Sequence, residues 1–235
     1  MNKKTIYWTS GIIAILIIIL LIIWAAFGKD SRTRSDDTVP EGPAAEEALG
    51  SYMEEQDILM NKMMEDMEDV QPAGNAALDF LNGMIPHHEA AVSMSESYLK
   101  YGGEDAELKK LAEYIVRIQK EEIAQMQSYI EDLKKDGTED PEQEQAYLDA
   151  YGTMLSAHHS AHSSHETSAN VETAFAEGMI MHHQMAVDMA QAIVGNTDNE
   201  KVTALAENII EAQQNEITQM QEILKRLSDD THSHH

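Results

Sequence analysis

Two short stretches of the chain carry adjacent histidines, with one methionine three residues before the pair and another six residues after it. They run from Gly83 to Met94, GMIPHHEAAVSM, and from Gly178 to Met189, GMIMHHQMAVDM. Imidazole nitrogens bind many transition metals, and thioether sulfurs select soft ions such as Cu(I). The repeated spacing therefore indicates soft-metal binding. The candidate ligands here are Met84, His87, His88, Met94, Met179, His182, His183, Met185 and Met189.

These side chains share one face if each stretch is helical. At about 100° per residue, the motif residues fall within an arc of about 120°, with Met185 at its edge. Downstream of each stretch, a second apolar stripe contains Gln119 and Glu122 in one copy and Gln213 and Glu216 in the other. A buried His or Glu without a partner costs several kcal/mol. We therefore expect both glutamates to accept N–H bonds from the histidines, leaving the other ring nitrogens for a metal.

A plain polar core is the competing interpretation. In it, His and Glu satisfy one another and the methionines only fill space. The recurrence of the whole motif favours ligands, whereas Met126 and Met220 are interpreted as packing residues.

Further candidates precede each motif. Methionines recur at helical spacing in the first arm, and histidines do so in the second. They are Met60, Met63, Met64 and Met67, then His158, His159, His162 and His165. The methionine stripe is equally well explained as core, and Zn(II) remains open at the histidine cluster. The terminal His232, His234 and His235 carry little weight.

The motif belongs to an internal duplication. Its two copies lie 95 positions apart, and the Leu-Ala-Glu and Gln-x-x-Glu-Ile blocks that follow lie 94 apart, which places a one-residue deletion in the second turn. Helix-forming residues dominate, Asn75 suits an N-cap, and the turns YGGED, KDG and GNTDN separate helical runs. The sequence predicts an all-α fold: a ferritin-like four-helix bundle made from two duplicated helical hairpins.

The amino terminus predicts a membrane anchor. Residues 5–28 carry no charge, and the run at 11–27 is almost purely aliphatic, with Trp8 and Trp24 near the ends. We expect an anchor at 1–29, a linker at 30–49, repeats at 50–137 and 138–228, and a His-containing tail at 229–235. The short amino terminus would stay inside and the body would lie outside the cell membrane; cleavage would instead give a secreted or periplasmic protein.

Charge and cysteine content narrow the function. The chain has no cysteine, hence no thiolate site, and a net charge of −26. All 42 acidic residues lie at Asp30 or later, so the charge beyond the anchor is more negative still. Such a field repels nucleic acid and attracts cations, although it also serves solubility.

The doubled GMIPHHEAAVSM-type motif, with its Gln-x-x-Glu-Ile block, resembles the domain of unknown function 305 family. The resemblance implies a ferritin-like, extracytoplasmic bundle that binds copper, as Cu(I), or Ag(I), contributes to copper tolerance, and exchanges copper with a donor or acceptor protein. Two alternatives remain: a metal-dependent ferritin-like oxidase, which the absence of any Glu-x-x-His motif disfavours, and a metal-free structural or interaction bundle. We expect a binding protein and no enzyme.

Overall fold

The computed structural model describes residues 43–102, 104–162 and 168–233, and the side chains of residues 45–102, 104–158 and 168–229. These residues form six helices and no strand, which confirms the all-α prediction. The helices are α1 (Pro43–Glu68), α2 (Ala76–Tyr101), α3 (Ala106–Asp136), α4 (Pro141–His162), α5 (Val171–Val194) and α6 (Glu200–Ser233).

The hairpins begin and end where local chemistry dictates. The Asn75 side chain accepts hydrogen bonds from the backbone N–H groups of Ala77 and Leu78, which confirms the predicted N-cap of α2. Gly137 ends α3 in the left-handed region at φ 68°, where a glycine is favoured because it has no Cβ. The helix-forming composition between these signals therefore folds as two hairpins, α2–α3 and α5–α6.

Helices α2 and α5 pack against each other in the centre of the molecule and run antiparallel. Tyr98, near the end of α2, stacks on Phe175, near the start of α5, with ring centroids 4.3 Å apart. At the outer side of the hairpins, α3 and α6 also meet in antiparallel fashion, through Arg226–Asp105 at 2.8 Å and Lys201–Asp132 at 3.3 Å. The two hairpins thus bury their apolar stripes against each other.

The two arms are long helices that pack onto this centre. Helix α1 contacts α2 and α5, and α4 contacts the same two helices. Tyr52 of α1 and Tyr147 of α4 lie 95 positions apart and are both buried, at 0% and 1% exposure. The equivalence of these tyrosines indicates that the duplicated unit has three helices, α1–α3 and α4–α6.

The missing residue of the second copy lies elsewhere than the sequence predicted. Helix α5 has 24 residues against 26 in α2. The connection after α5 is no shorter: it spans 195–199, whereas 102–105 connect α2 to α3. Helix α5 therefore ends earlier than α2 does, at Gly195, and this shortening accounts for the missing residue. The prediction of a shortened turn is wrong.

Several predicted features lie outside the described residues. They are the membrane anchor at 1–29, most of the linker, His165, and the end of the tail. Of the six helices in the described ranges, none combines the length and hydropathy needed to cross a bilayer.

Candidate metal site

The central contact between α2 and α5 is a reciprocal pair of histidines. Nε2 of His87 lies 3.0 Å from the carbonyl oxygen of His182, and Nε2 of His182 lies 3.1 Å from the carbonyl oxygen of His87. The ring centroids are 3.8 Å apart, with the planes tilted by 36°. A carbonyl oxygen can only accept, so each Nε2 carries the proton and donates it.

The second histidine of each pair is held by a glutamate. Nε2 of His88 donates to Oε2 of Glu122 at 2.9 Å, and Nε2 of His183 donates to Oε2 of Glu216 at 2.5 Å. Glu216 is buried, and Glu122 is half-buried. The predicted pairing of histidines with these glutamates is therefore confirmed.

These contacts leave the same atom unused in all four rings. Nδ1 of each motif histidine is buried and has no hydrogen-bond partner among the described residues: His87, His88, His182 and His183. Each ring is at most 1% exposed, so water cannot easily compensate these atoms. Because Nε2 holds the proton, each Nδ1 presents a lone pair, the form of imidazole that binds a metal.

The rings at the centre are neutral. Burial lowers the pKa of His87 and of His182 well below the usual histidine value, and the neighbouring histidines lower it further. A neutral imidazole needs no deprotonation before it binds an ion. The central pair is therefore available as a ligand pair at neutral pH.

The motif methionines lie in the same buried interior as these rings. All of them are buried at 3% exposure or less: Met84, Met94, Met179, Met185 and Met189. Met94 and Met189 reach across to the opposite copy. A Cβ placed on Gly178 would lie 3.8 Å from Cε of Met94, and one on Gly83 would lie 3.5 Å from Cε of Met189. The last methionine of each motif thus approaches the helix turn that precedes the other copy's histidines.

The predicted glutamine positions also face the interior. Gln119 and Gln213 are each 2% exposed. Oε1 of Gln119 and both polar side-chain atoms of Gln213 lack hydrogen-bond partners within the described ranges. No hydrogen bond links either glutamine to a motif histidine in that part of the chain, so their predicted supporting role stays a prediction.

The two arms contribute unequally. The four methionines of the first arm lie in the hydrophobic core: Met60, Met63, Met64 and Met67. With the 95-residue offset, Met63, Met64 and Met67 of α1 correspond to His158, His159 and His162 of α4. Nε2 of His158 contacts Oδ2 of Asp188 at 2.9 Å, a pairing that the sequence analysis missed because copy one has Ser93 there. The side chains of His159 and His162 lie outside the described part.

The described nitrogen and oxygen side chains form no ready metal centre by themselves. Among the described side chains, no group of three or more His, Asp or Glu residues has an arrangement that could hold an ion.

The fold and this interior define a class: an all-helical bundle with paired histidines and methionines at its centre. The profile of the domain of unknown function 305 family matches residues 29–130 and 78–224 in two overlapping segments. The chain belongs to this family, as its sequence resemblance predicted.

One curated protein and several solved structures are similar to this chain. An uncharacterized protein of Acanthamoeba polyphaga mimivirus is 46% identical over 50 residues, which are 21% of this chain and 33% of that protein. The chain thus spans about a third of the length of this curated relative. Among solved structures, CopM in its silver-soaked form is 33% identical, with 64% of this chain and 95% of CopM covered and a TM-score of 0.47. CopM in its Cu(I)-bound form is 31% identical to this chain. The match covers 96% of CopM, with the same TM-score of 0.47.

Proposed function

We propose that this protein binds Cu(I), with Ag(I) as a chemical equivalent, in the interior between α2 and α5. The ion would be held by Nδ1 atoms of the paired histidines and by thioethers of the motif methionines, and it would be cargo for sequestration or transfer. The observation that carries the proposal is the set of four buried Nδ1 atoms without partners. A core that only satisfied itself would pair both nitrogens of these rings.

The character of the donors selects the ion. Neutral imidazoles and neutral thioethers suit a soft, singly charged ion, because they bring no negative charge to compensate a hard divalent one. Each glutamate is committed to the Nε2–H of its own histidine. Both carboxylates therefore fix ring orientation, which raises the basicity of the opposite nitrogen.

Binding without catalysis is part of the proposal. An oxidase in a ferritin-like bundle would need carboxylates on the metal, and the glutamates here face histidine N–H groups. We infer that the four hairpin helices are a ferritin-like bundle core, with α1 and α4 as additions. A dioxygen-consumption assay on the copper- and iron-loaded protein should give no turnover.

The cellular setting is proposed from the sequence. The uncharged segment at 5–28 would anchor the acidic body outside the membrane, where the protein would contribute to copper tolerance and exchange copper with a partner protein. Fractionation of cells that express the full chain would test the anchor.

An anaerobic titration of the full-length protein with Cu(I), against a chromophoric competitor, tests the metal proposal. The quadruple variant Met84→Leu, Met94→Leu, Met179→Leu, Met189→Leu keeps apolar volume and removes only sulfur, so it should fold. We expect its Cu(I) affinity to fall by about 100-fold or more, equivalent to about 3 kcal/mol.

The matched control is Met126→Leu with Met220→Leu. These methionines are also fully buried, but they lie on α3 and α6, so this variant should bind Cu(I) like the wild type. Equal affinities for wild type and the quadruple variant would refute coordination by these four thioethers. Replacing His87, His88, His182 and His183 by Ala without loss of binding would leave only the arms or the tail as binding sites.

A further inference from the structure

A cavity of about 210 Å³ lies between α1, α2 and α4. Its rim includes Glu68, which is exposed, and Val70, which is half-buried. Its floor is made by buried residues from all three helices: Met67, Asp79, Tyr147 and Tyr151. The cavity therefore leads from an acidic rim to a floor that carries one thioether.

The floor contains polar atoms that the protein leaves unpaired. Asp79 is 2% exposed, and its Oδ1 accepts the N–H of Ala73 at 2.8 Å, but its Oδ2 has no partner in the described part of the chain. The hydroxyl of Tyr147 is unpaired there as well. Burial, together with nearby Glu144, raises the pKa of Asp79 to about 7. In the described ranges, no basic side chain forms an ion pair with Asp79, so this corner of the cavity favours a cation.

The inner wall of the cavity adjoins the proposed copper site. The Tyr151 hydroxyl donates to the carbonyl oxygen of Met67 at 3.1 Å. A Cβ on Gly83 would lie 3.0 Å from that hydroxyl oxygen and 3.5 Å from Cε of Met189. Tyr151 and Met189 therefore converge at Gly83, and the missing side chain of this glycine leaves the space that lets them approach.

We infer that this cavity is the route by which the soft cation reaches the interior. This inference rests on the proposed function. The ion would be attracted at the rim by Glu68, exchange its solvent ligands for the Met67 thioether and the oxygens of the floor, and pass Tyr151 to Met189. At Gly178, the corresponding position of the second copy, a Cβ would have one described atom within 4 Å: Cε of Met94, at 3.8 Å. Among the described residues, the second copy thus has no counterpart of the Tyr151 hydroxyl at this glycine.

Loading kinetics separate this route from the binding site itself. Full-length protein would be mixed rapidly and anaerobically with Cu(I) as its cationic acetonitrile complex, and a chromophoric chelator would capture unbound ion at set times. Glu68→Lys reverses the rim charge, and Glu65→Lys makes the same change on the exposed surface of α1 outside the cavity lining. We expect Glu68→Lys to slow loading by about three- to tenfold at low ionic strength, with Glu65→Lys close to the wild type.

A steric variant tests the path independently of charge. Val70→Trp would narrow the opening, and Val194→Trp introduces the same side chain at another half-buried position, at the end of α5. We expect Val70→Trp to load about tenfold more slowly, with an unchanged equilibrium affinity, and Val194→Trp to load normally.

Wild-type loading rates in both Glu68→Lys and Val70→Trp would overturn the route while leaving the proposed function intact. A wild-type protein that binds no Cu(I) at equilibrium would overturn both. If Val70→Trp weakens equilibrium binding, the loading rates of Glu68→Lys and Glu65→Lys decide whether the cavity is the entry route, because charge changes at exposed positions leave the fold intact.

Discussion

Each motif histidine uses one ring nitrogen to fix the ring and leaves the other unpaired. The contacts to Glu122 and Glu216 could be predicted, because buried glutamates on one stripe need donors and the histidines lie on the neighbouring stripe. The exchange between His87 and His182 could not be predicted. It depends on how closely α2 and α5 approach and on which turn of α2 faces which turn of α5. The periodicity of one helix carries no information about either property.

The depressed pKa values of His87 and His182 predict acid sensitivity of the metal-free fold. As pH falls below about 6.5, His87 and His182 bind protons in the unfolded chain but stay neutral in the folded protein. This contribution to stability is present above pH 6.5 and is lost towards lower pH, by at most about 1.4 kcal/mol per pH unit for each ring. Urea unfolding between pH 5 and 9 should show the decline.

The variant His87→Gln with His182→Gln provides the comparison, because each glutamine amide keeps a donor for the opposite carbonyl. Its stability should fall less steeply than that of the wild type below pH 6.5 and run parallel to it between pH 7.5 and 9. Parallel curves over the whole range would show that these two rings titrate normally.

At the scale of elements, helix ends and the two hairpins were predictable, whereas the packing of the arms was not. Asn75 and Gly137 define ends through their own hydrogen bonding and backbone conformation, so their roles can be recognised in the sequence. That α1 and α4 are long helices seated on α2 and α5 follows from tertiary burial of Tyr52 and Tyr147. The cavity behind Gly83 depends on three helices at once and had no signal in any one segment.

Alanine substitution of two glycines with open surroundings should change stability in opposite directions. A Cβ at Gly137 or at Gly152 would meet no atom within 4 Å, so packing is not involved at either site. Gly137→Ala forces a Cβ into a left-handed conformation and should cost about 1 kcal/mol, whereas Gly152→Ala inside α4 should add about 0.5–1 kcal/mol. Urea denaturation of both variants measures this, and equal signs would contradict it.

At the scale of the whole molecule, acidic charge dominates. The formal net charge is −26, and the ion pairs that bridge helices at the surface use few basic residues. Mutual repulsion among the remaining carboxylates opposes the compact state. The charge was evident from the sequence, whereas the position of Glu68 at the cavity rim required the fold.

This repulsion predicts stabilisation by salt. Raising NaCl from about 10 mM to about 200 mM shortens the screening length and should raise Tm by about 2–4 °C, the shift that about 1 kcal/mol gives at this size. Calorimetry on the metal-free protein measures it. A triple variant at exposed positions, Glu47→Lys, Glu54→Lys and Glu211→Lys, should respond less; an equal response would attribute the effect to something other than charge.

The reciprocal contact of His87 and His182 has the geometry of a twofold axis running between the two halves of one chain. In a homodimer of a single three-helix unit, both subunits share one sequence, so each substitution would appear on both sides of that axis. A gene fusion removes this constraint. Met181 could then replace the counterpart of Pro86, Met185 that of Ala90, and histidines the methionines of the first arm. The two halves of this protein have thus been free to evolve different side chains around a shared, still symmetrical centre.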